Sequence, residues 1–429
     1  AHHNLGVCLR IENRPADAIP HYKAARERGL DRAELYHNLG NALADVGNAG
    51  EAVDAYRASL ARNPRNRDCH RNLSSLLWQQ EMTGDHLDSY RQALLQDPTA
   101  ASLRLDFAMA LNQQGMYEEA EKVLAQGLGH GDSSELKSLL AYTFENQGRW
   151  PEALQLHAAA VALPGASPNL FVSFARALLA AGRPDEAVIH AKHGAMQMPF
   201  NQRALAYLTL CWRMLGDERD EILNDYEHLV GVYDVPVPSG FSGAAAFNSR
   251  LNEVLDTIHT GKRPPPEQTV RGGTQTSGDL FVRREPEIAS LVDGLRSCIR
   301  EYIDRLPGHP EHPMLSRRSE SFDFSASWSV RLQSAGFHTM HIHPLGWISS
   351  AYYVHVPPEV AGPAAKGGEL KFGEPDIDIG PKGNPRRYVQ PAVGRLVLFP
   401  SYMWHGTVPF DSVQPRTTVA FDVVPVVKR

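Results

Sequence analysis

The sequence predicts an α+β fold in which an all-α repeat superhelix, residues 1–222, precedes a jelly roll with flanking helices, residues 223–429. Two observations lead to this prediction. A helical pattern with a period of 34 residues fills the first half of the chain. After Asp220 that period fades, and short runs follow in which β-branched and aromatic residues alternate with polar ones, separated by Gly and Pro.

The repeat is visible as a recurring string. His-Asn-Leu-Gly occupies residues 3–6 and 37–40, and an Asn-Leu pair recurs at 72–73, another 34 residues on. A turn position follows each string, and an Ala on a second helix follows most turns. About seven helix–turn–helix units therefore cover residues 1–222, and they must stack because one unit cannot bury its apolar face alone. The predicted turn positions are Asn13, Gly47, Glu81, Gly115, Gly148, Gly182 and Gly216.

This 34-residue unit resembles the tetratricopeptide repeat, whose stacked units form a concave face. One column of the repeat, just before the Leu or Phe anchor, carries amides in successive units. Amides can donate to and accept from an extended peptide, and the column resembles the peptide-binding face of tetratricopeptide-containing glycosyltransferases. The alternative is that Asn suits this consensus position and faces solvent. The resemblance implies a protein or peptide partner, with Asn38 and Asn72 as candidate contacts. The column reads Asn4, Asn38, Asn72, Asp106, Leu139, Ser173 and Tyr207.

Composition and charge exclude several classes of protein. Apolar residues make up 42% and charged residues 21%, as in a globular protein. The sequence contains no run of 18 apolar residues, so it predicts no membrane-spanning helix. A net charge of −6 argues against a general nucleic-acid binder. The four cysteines lie far apart without a CxxC pair, which predicts reduced thiols in a cytoplasmic protein. The chain starts within a helical pattern, so we expect its true N-terminus to be missing.

The second half contains two predicted helices, 247–259 and 285–306, and a series of predicted strands. Many short strands with turns between them favour a barrel or jelly roll. The polar segment that includes Arg271 and Gln275 could line a substrate opening or form a turn that bonds its own backbone. The predicted strands are 232–238, 322–332, 337–343, 348–356, 367–373, 395–399 and 416–426.

Three histidines in this half suggest a metal site. His341 and His343 share one face of a predicted strand because alternate residues of a strand point the same way, and His338 should then face the other side. His405 follows a buried strand after a sharp turn. Imidazole ligands of this kind suit iron, zinc, copper or nickel. Trp347 lies near the ligand strand and could pack over the site.

Further along, the motifs combine into a specific order. Together they resemble the Fe(II)/2-oxoglutarate-dependent oxygenases. The motifs are, in order, His341-Ile-His343, the Ser-Ser-Ala-Tyr-Tyr strand at 349–353, the Gly-Gly-Glu-Leu strand at 367–370, His405 and an Arg-Thr-Thr strand at 416–418. The resemblance covers about 225–429 and is greatest to a bacterial branch of uncharacterised oxygenases. It implies a double-stranded β-helix, the fold in which two sheets form a jelly roll.

The resemblance also implies roles for individual residues. His341 and His405 correspond to iron ligands, and Arg416 and Thr418 to residues that bind the distal carboxylate of 2-oxoglutarate. Tyr353 corresponds to a tyrosine of the same pocket, with Tyr352 as the alternative if the strand register differs.

The third metal ligand departs from the usual pattern. His343 stands where the family normally has Asp or Glu. Either His343 is the third ligand, or another carboxylate completes the site, or the site is degenerate. Strand geometry favours the first, which makes His341, His343 and His405 the catalytic metal set. The candidate carboxylates are Glu369, Glu374 and Asp376.

The implied function is that of a hydroxylase that uses Fe(II), 2-oxoglutarate and O2 on a protein or peptide recruited by the repeats. Two alternatives remain open: a non-catalytic repeat scaffold with a degenerate barrel, and a three-histidine cupin-type dioxygenase that does not use 2-oxoglutarate. Neither nucleic acid nor membrane is a predicted partner.

Overall fold

The computed structural model describes residues 1–82, 85–266, 268–362 and 367–426. Helices alone fill the described residues up to 215, and strands begin only at Gly231, which confirms the predicted α+β order. The first nine helices are α1 His2–Ile11, α2 Pro15–Glu27, α3 Ala33–Asp45, α4 Ala49–Arg62, α5 Arg67–Gln79, α6 Asp88–Gln96, α7 Ala101–Gln113, α8 Tyr117–Gly129 and α9 Ser134–Asn146. The others are α10 Trp150–Val161, α11 Pro168–Ala180, α12 Pro184–Gln197, α13 Gln202–Leu215, α14 Arg219–Leu223, α15 Tyr226–Leu229, α16 Ala244–Ile258 and α17 Pro286–Arg305.

All seven predicted turn positions adopt a positive φ, which reverses the chain between the helices of a unit. Five of them are glycines, for which this backbone conformation has no steric cost. Asn13 and Glu81 adopt it without being glycine, at φ values of 55° and 51°. Small alanines such as Ala52 and Ala120 are fully buried on the second helices, where they let neighbouring helices approach closely.

The chain divides into two compact units. One contains residues 1–156 with 260–268, and the other contains 157–259 with 269–429. Secondary structure changes near residue 222, since α14 ends at Leu223, whereas the compact units divide elsewhere. A domain boundary at 222 stays a prediction. None of the described helices is both long and apolar enough to cross a membrane.

Two antiparallel sheets form the second half. The strands are β1 Gly231–Asp234, β2 Val270–Gln275, β3 Phe322–His338, β4 Ile348–His355, β5 Leu370–Phe372, β6 Arg387–Val389, β7 Arg395–Pro400, β8 His405–Thr407 and β9 Arg416–Pro425. The six-stranded sheet has the order β1-β7-β4-β9-β3-β2, and the three-stranded sheet has the order β6-β5-β8. The predicted segment 322–332 and the first two residues of the predicted segment 337–343 belong to β3, whereas residues 339–343 lie beyond its end. Strands β2, β6 and β8 are not among the predicted strands.

A buried ionic cluster stabilises the second unit. Asp220, 2% exposed, accepts hydrogen bonds from Arg213 at 3.2 Å and Arg386 at 2.8 Å through Oδ2, and from Asn224 through Oδ1. Arg213 also donates to the Gly373 carbonyl and to the Tyr226 hydroxyl. The cluster therefore fixes helices α13–α15 against the loop that follows β5.

We expect Asp220→Asn to lower the free energy of unfolding by about 3–5 kcal/mol, because it leaves the buried guanidinium of Arg213 without its carboxylate. Chemical denaturation followed by circular dichroism measures this. Asp217→Asn is the control, since Asp217 pairs with the exposed Arg219 and its loss should change stability little. Equal effects of the two substitutions would contradict the prediction.

Candidate metal centre

The first two histidines of the centre are positioned by backbone pairing between the sheets. His341 follows the end of β3, and His405 begins β8. The two residues form a β-bridge in which each N–H donates to the carbonyl of the other, at 2.9 and 3.0 Å. His343 joins them because its N–H donates to the Ser401 carbonyl. One ring nitrogen from each of the three imidazoles lies within 4.8 Å of the others.

Hydrogen bonds orient all three imidazoles. Each Nδ1 lies beside an oxygen that can only accept: the Thr339 carbonyl for His341 at 2.8 Å and the Met403 carbonyl for His405 at 2.9 Å. His343 meets the Asp422 carboxylate at 2.6 Å. Each Nδ1 therefore carries the hydrogen, and each Nε2 presents a lone pair.

These lone pairs face one another. The Nε2 atoms of His341 and His343 are 3.3 Å apart, and neither has a hydrogen to share when the rings are neutral. A cation between them would relieve the repulsion, and two nitrogens at about 2.1 Å from one octahedral metal would be about 3 Å apart. The donor set therefore fits a first-row divalent metal.

Burial keeps the imidazoles of His341 and His405 neutral. It lowers the pKa of His341 to about 3, aided by the neighbouring His343, and it holds the pKa of His405 well below its usual value. A neutral imidazole is the form that binds a metal. Metal binding here therefore requires little displacement of protons at neutral pH.

Asp422 holds His343 in place and is itself held. Besides His343, its Oδ1 accepts a hydrogen bond from Ser349 Oγ at 2.7 Å, and Ser349 Oγ lies 2.8 Å from Ser401 Oγ. A side chain at position 346 would collide with Ser401 Oγ, so Gly346 allows this close packing. Sequence reasoning missed Asp422, although a lone carboxylate on a buried strand is a signal that could have identified it.

A fourth histidine lies in the same cavity. The rings of His338 and His341 are stacked with centroids 5.6 Å apart, and His338 Nδ1 lies 3.0 Å from Thr269 Oγ1. The expectation that His338 faces the opposite side is wrong, because β3 ends there and the chain bends before His341, so strand alternation does not continue.

A buried guanidinium lines the same cavity. Arg416 is 3% exposed, and it donates to the Gly368 carbonyl and, at 3.3 Å, to Thr407 Oγ1. Its Nε has no hydrogen-bond partner, and no carboxylate of the described residues pairs with it. Tyr353, whose ring centroid is 5.6 Å from the Arg416 guanidinium carbon, and Thr418 line the same cavity. An unpaired buried cation suits a carboxylate ligand.

None of the candidate carboxylates belongs to the histidine cluster. Glu369 accepts from Gln390 at 3.1 Å through Oε1 while its buried Oε2 has no partner, Glu374 pairs with Lys371, and Asp376 accepts from Tyr207 at 2.8 Å. In the described part of the chain, the one group of side chains that could hold a metal contains histidines alone.

The remaining predicted site residues, Trp347, Arg271 and Gln275, do not line this cavity. The Trp347 indole is buried and donates to the Met314 carbonyl at 2.9 Å, whereas the Trp328 ring lies in the cavity, tilted against His343 with centroids 5.5 Å apart. Arg271 is exposed and Gln275 half-buried on β2, which bonds to β3 as an edge strand.

The predicted amide column has contacts within the repeats. Asn38 Nδ2 lies 3.2 Å from His3 Nε2, and Asn72 Nδ2 donates to Asn41 Oδ1 at 2.9 Å. Both side chains are half-buried. A role of Asn38 and Asn72 in binding a polypeptide stays a prediction.

Known protein families match both halves of the chain. Tetratricopeptide-repeat families match residues 12–66, 37–101, 87–141, 136–168 and 175–190. A family described as "Putative 2OG-Fe(II) oxygenase" matches residues 326–422, which contain the three histidines and Arg416. Family models therefore match tetratricopeptide repeats followed by a "Putative 2OG-Fe(II) oxygenase" domain in the C-terminal part of the chain. Among curated proteins, none matches the chain.

Several solved structures resemble the repeats. A thermophilic tetratricopeptide-repeat protein of Thermus thermophilus shares 26% identity over 42% of this chain and 100% of its own, with a TM-score of 0.28. Pseudomonas aeruginosa pilF shares 21% identity over 44% of this chain and 86% of its own, with a TM-score of 0.33. Yeast Tom70 shares 16% identity over 52% and 49%, with a TM-score of 0.39.

We expect Asp422→Ala to weaken metal binding by about 10–100-fold, because His343 loses the acceptor that fixes its tautomer and orientation. Titration of the purified, metal-free protein with Fe(II) under anaerobic conditions measures this. Asp411→Ala, at an exposed loop position, is the control and should leave the affinity unchanged. Unchanged affinity in Asp422→Ala would show that His343 does not depend on this carboxylate.

Proposed function

We propose that the chain is an Fe(II)/2-oxoglutarate-dependent oxygenase that hydroxylates a protein or peptide recruited by its repeats. One observation carries the proposal: three convergent imidazole lone pairs and an unpaired buried guanidinium line one cavity. The first group suits a divalent metal and the second suits an anion that reaches toward it. The two together are what a metal-binding oxo acid requires.

In this proposal His341, His343 and His405 hold the metal. Bound Fe(II) with 2-oxoglutarate supplies the redox chemistry that activates dioxygen as the oxo acid loses carbon dioxide. Three neutral ligands leave the charge of a divalent ion uncompensated within the ligand shell. A dianionic cosubstrate is attracted to such a centre more strongly than to one with a carboxylate ligand.

Arg416 binds the distal carboxylate. Its free Nε is a buried donor already in place, and a guanidinium can contact both oxygens of a carboxylate. Thr418 and Tyr353 offer hydroxyl groups from neighbouring strands, where the two residues are register partners. The aromatic and aliphatic walls, among them Trp328 and Phe399, exclude water from the reacting atoms.

The repeats support a polypeptide substrate. Tetratricopeptide repeats in general mediate contacts between proteins, and stacked repeats offer an extended surface for such contacts. The exposed regions of a polypeptide are therefore the proposed target, with Asn38 and Asn72 as candidate contacts and Arg271 and Gln275 as candidates nearer the oxygenase site.

A second function is favoured by the ligand set. A site with three histidine ligands and no carboxylate also suits a cupin-type dioxygenase that does not use 2-oxoglutarate. Arg416 would then have no carboxylate to bind. Consumption of 2-oxoglutarate and formation of succinate distinguish the two functions directly.

The proposal predicts that Arg416→Met weakens 2-oxoglutarate binding by about 100-fold, because charge-assisted hydrogen bonds worth about 1.5–3 kcal/mol each are lost. Calorimetry with Fe(II)-loaded protein measures the affinity, and succinate release measures turnover. Metal binding should be retained.

Arg331→Met is the matched control. Arg331 lies on the neighbouring strand β3 and pairs with Asp256 outside the cavity. Unchanged 2-oxoglutarate affinity in Arg416→Met, with normal affinity in the control, would refute the assignment of this arginine.

The identity of the third ligand is tested separately. We expect His343→Ala and His405→Ala to reduce Fe(II) affinity by more than about 100-fold, and His343→Asp to retain it within about tenfold, since carboxylate can replace imidazole as a ligand. His338→Ala is the control, because His338 lies in the cavity but outside the cluster of three. Retention of iron by His343→Ala would remove His343 from the ligand set.

A further inference from the structure

A proline-rich segment from the second half of the sequence belongs with the repeats. Residues 260–268, which lie between α16 and β2, are part of the compact unit formed by residues 1–156. The described part of this segment, Thr260–Pro266, contains Lys262, Arg263 and three consecutive prolines, and no helix or strand. We call it the internal segment.

The repeats bind the main chain of the internal segment at the end of α5. The Gln79 carbonyl accepts from the Lys262 and Arg263 N–H groups, at 2.9 and 3.2 Å. The Trp78 indole N–H donates to the Pro264 carbonyl at 3.1 Å, and Gln80 Nε2 donates to the Thr260 carbonyl at 3.3 Å. The internal segment thereby satisfies a carbonyl that has no partner within its own helix.

Side chains add a selective contact. The guanidinium of Arg263 lies over the Trp78 ring at 5.0 Å, and its Nε pairs with Glu81 at 2.6 Å. A cation above an aromatic face and beside a carboxylate is favourable on both counts. The pocket formed by Trp78, Gln79, Gln80 and Glu81 thus recognises a basic residue followed by proline.

The backbone of Glu81 supports a binding role. Glu81 occupies a turn position at which five other repeats have glycine, and its φ of 51° is unfavourable for a residue with a side chain. Glycine would remove that cost, but it would also remove the carboxylate that pairs with Arg263. The ion pair with Arg263 explains why Glu, and not Gly, occupies this strained position.

The surface of the repeats that contacts the internal segment extends beyond the prolines. Pro266 borders a cavity of about 130 Å³ that is also lined by Tyr90, Gln113 and Asp106, the fourth member of the amide column. A polypeptide longer than the internal segment would therefore continue past the prolines into polar surroundings on the same repeats.

We propose that the internal segment is an intramolecular ligand of the repeats, and that a partner polypeptide with a basic residue before a proline run binds the same pocket by displacing it. Proline runs are recognised with little loss of conformational freedom because they are already extended. A tethered ligand acts at an effective concentration of about 1 mM, which masks the pocket from weaker competitors. This inference concerns binding and does not depend on the proposed oxygenase activity.

The test uses the full chain and a fluorescein-labelled peptide with the sequence of residues 260–268. In one variant, residues 262–266 are replaced by five glycine and serine residues, which keeps the length of the connection. We expect fluorescence anisotropy to show at least about tenfold tighter peptide binding to this variant than to the unaltered chain. Arg263→Glu, which retains the prolines but repels Glu81, should change binding in the same direction.

Substitutions inside and outside the pocket test where the peptide binds. In the replaced variant, Trp78→Leu and Glu81→Gln should each weaken peptide binding, whereas Glu118→Gln, at an exposed position on α8, should not. A labelled peptide with Glu in place of its Arg should bind poorly. Equal affinity for the replaced and unaltered chains, or no binding to either at millimolar peptide, would overturn the proposal, provided that circular dichroism shows both chains folded.

Discussion

The backbone bridge between His341 and His405 is the contact on which the metal centre depends. It joins the end of the long strand β3, in the six-stranded sheet, to β8 in the three-stranded sheet. Paired N–H and carbonyl groups fix the distance between the sheets at this point, so both imidazoles project into the same cavity. His343 follows because its own N–H is bound by Ser401, on the turn that leads to His405.

Charge explains why the cavity is suited to a metal and an anion together. Burial keeps the imidazoles of His341 and His405 neutral, and Arg416 is buried without a carboxylate beside it. Each feature alone is unfavourable in a folded protein. The imidazole nitrogen lone pairs face and repel one another, and the Arg416 cation is buried without an anion. A divalent metal would remove the repulsion between the lone pairs, and a carboxylate ligand would pair with the guanidinium. Both unfavourable features are therefore consistent with preorganised binding sites for a metal and an anion.

The sequence predicted those features whose physical cause is local. A fixed period and glycine turns identify the helix pairs, and alternation identifies the long strands. Strands β6 and β8 have three residues each, too few for alternation to appear. Asp422 was missed because it acts through pairing of distant strands. The predicted orientation of His338 was wrong because the chain bends after β3, which brings this residue to the cavity.

The column of the repeat that begins with amides ends with an aromatic residue, and the structure gives the reason. Tyr207, on α13, is buried edge-on against Trp404, with ring centroids 5.4 Å apart, and its hydroxyl donates to Asp376. Trp404 directly precedes His405. The last repeat therefore uses this position to support the turn that carries a candidate metal ligand, whereas Asn38, Asn72 and Asp106 make polar contacts there within the repeats. Position 207 therefore contacts Asp376 and the turn before His405 instead of neighbouring repeats.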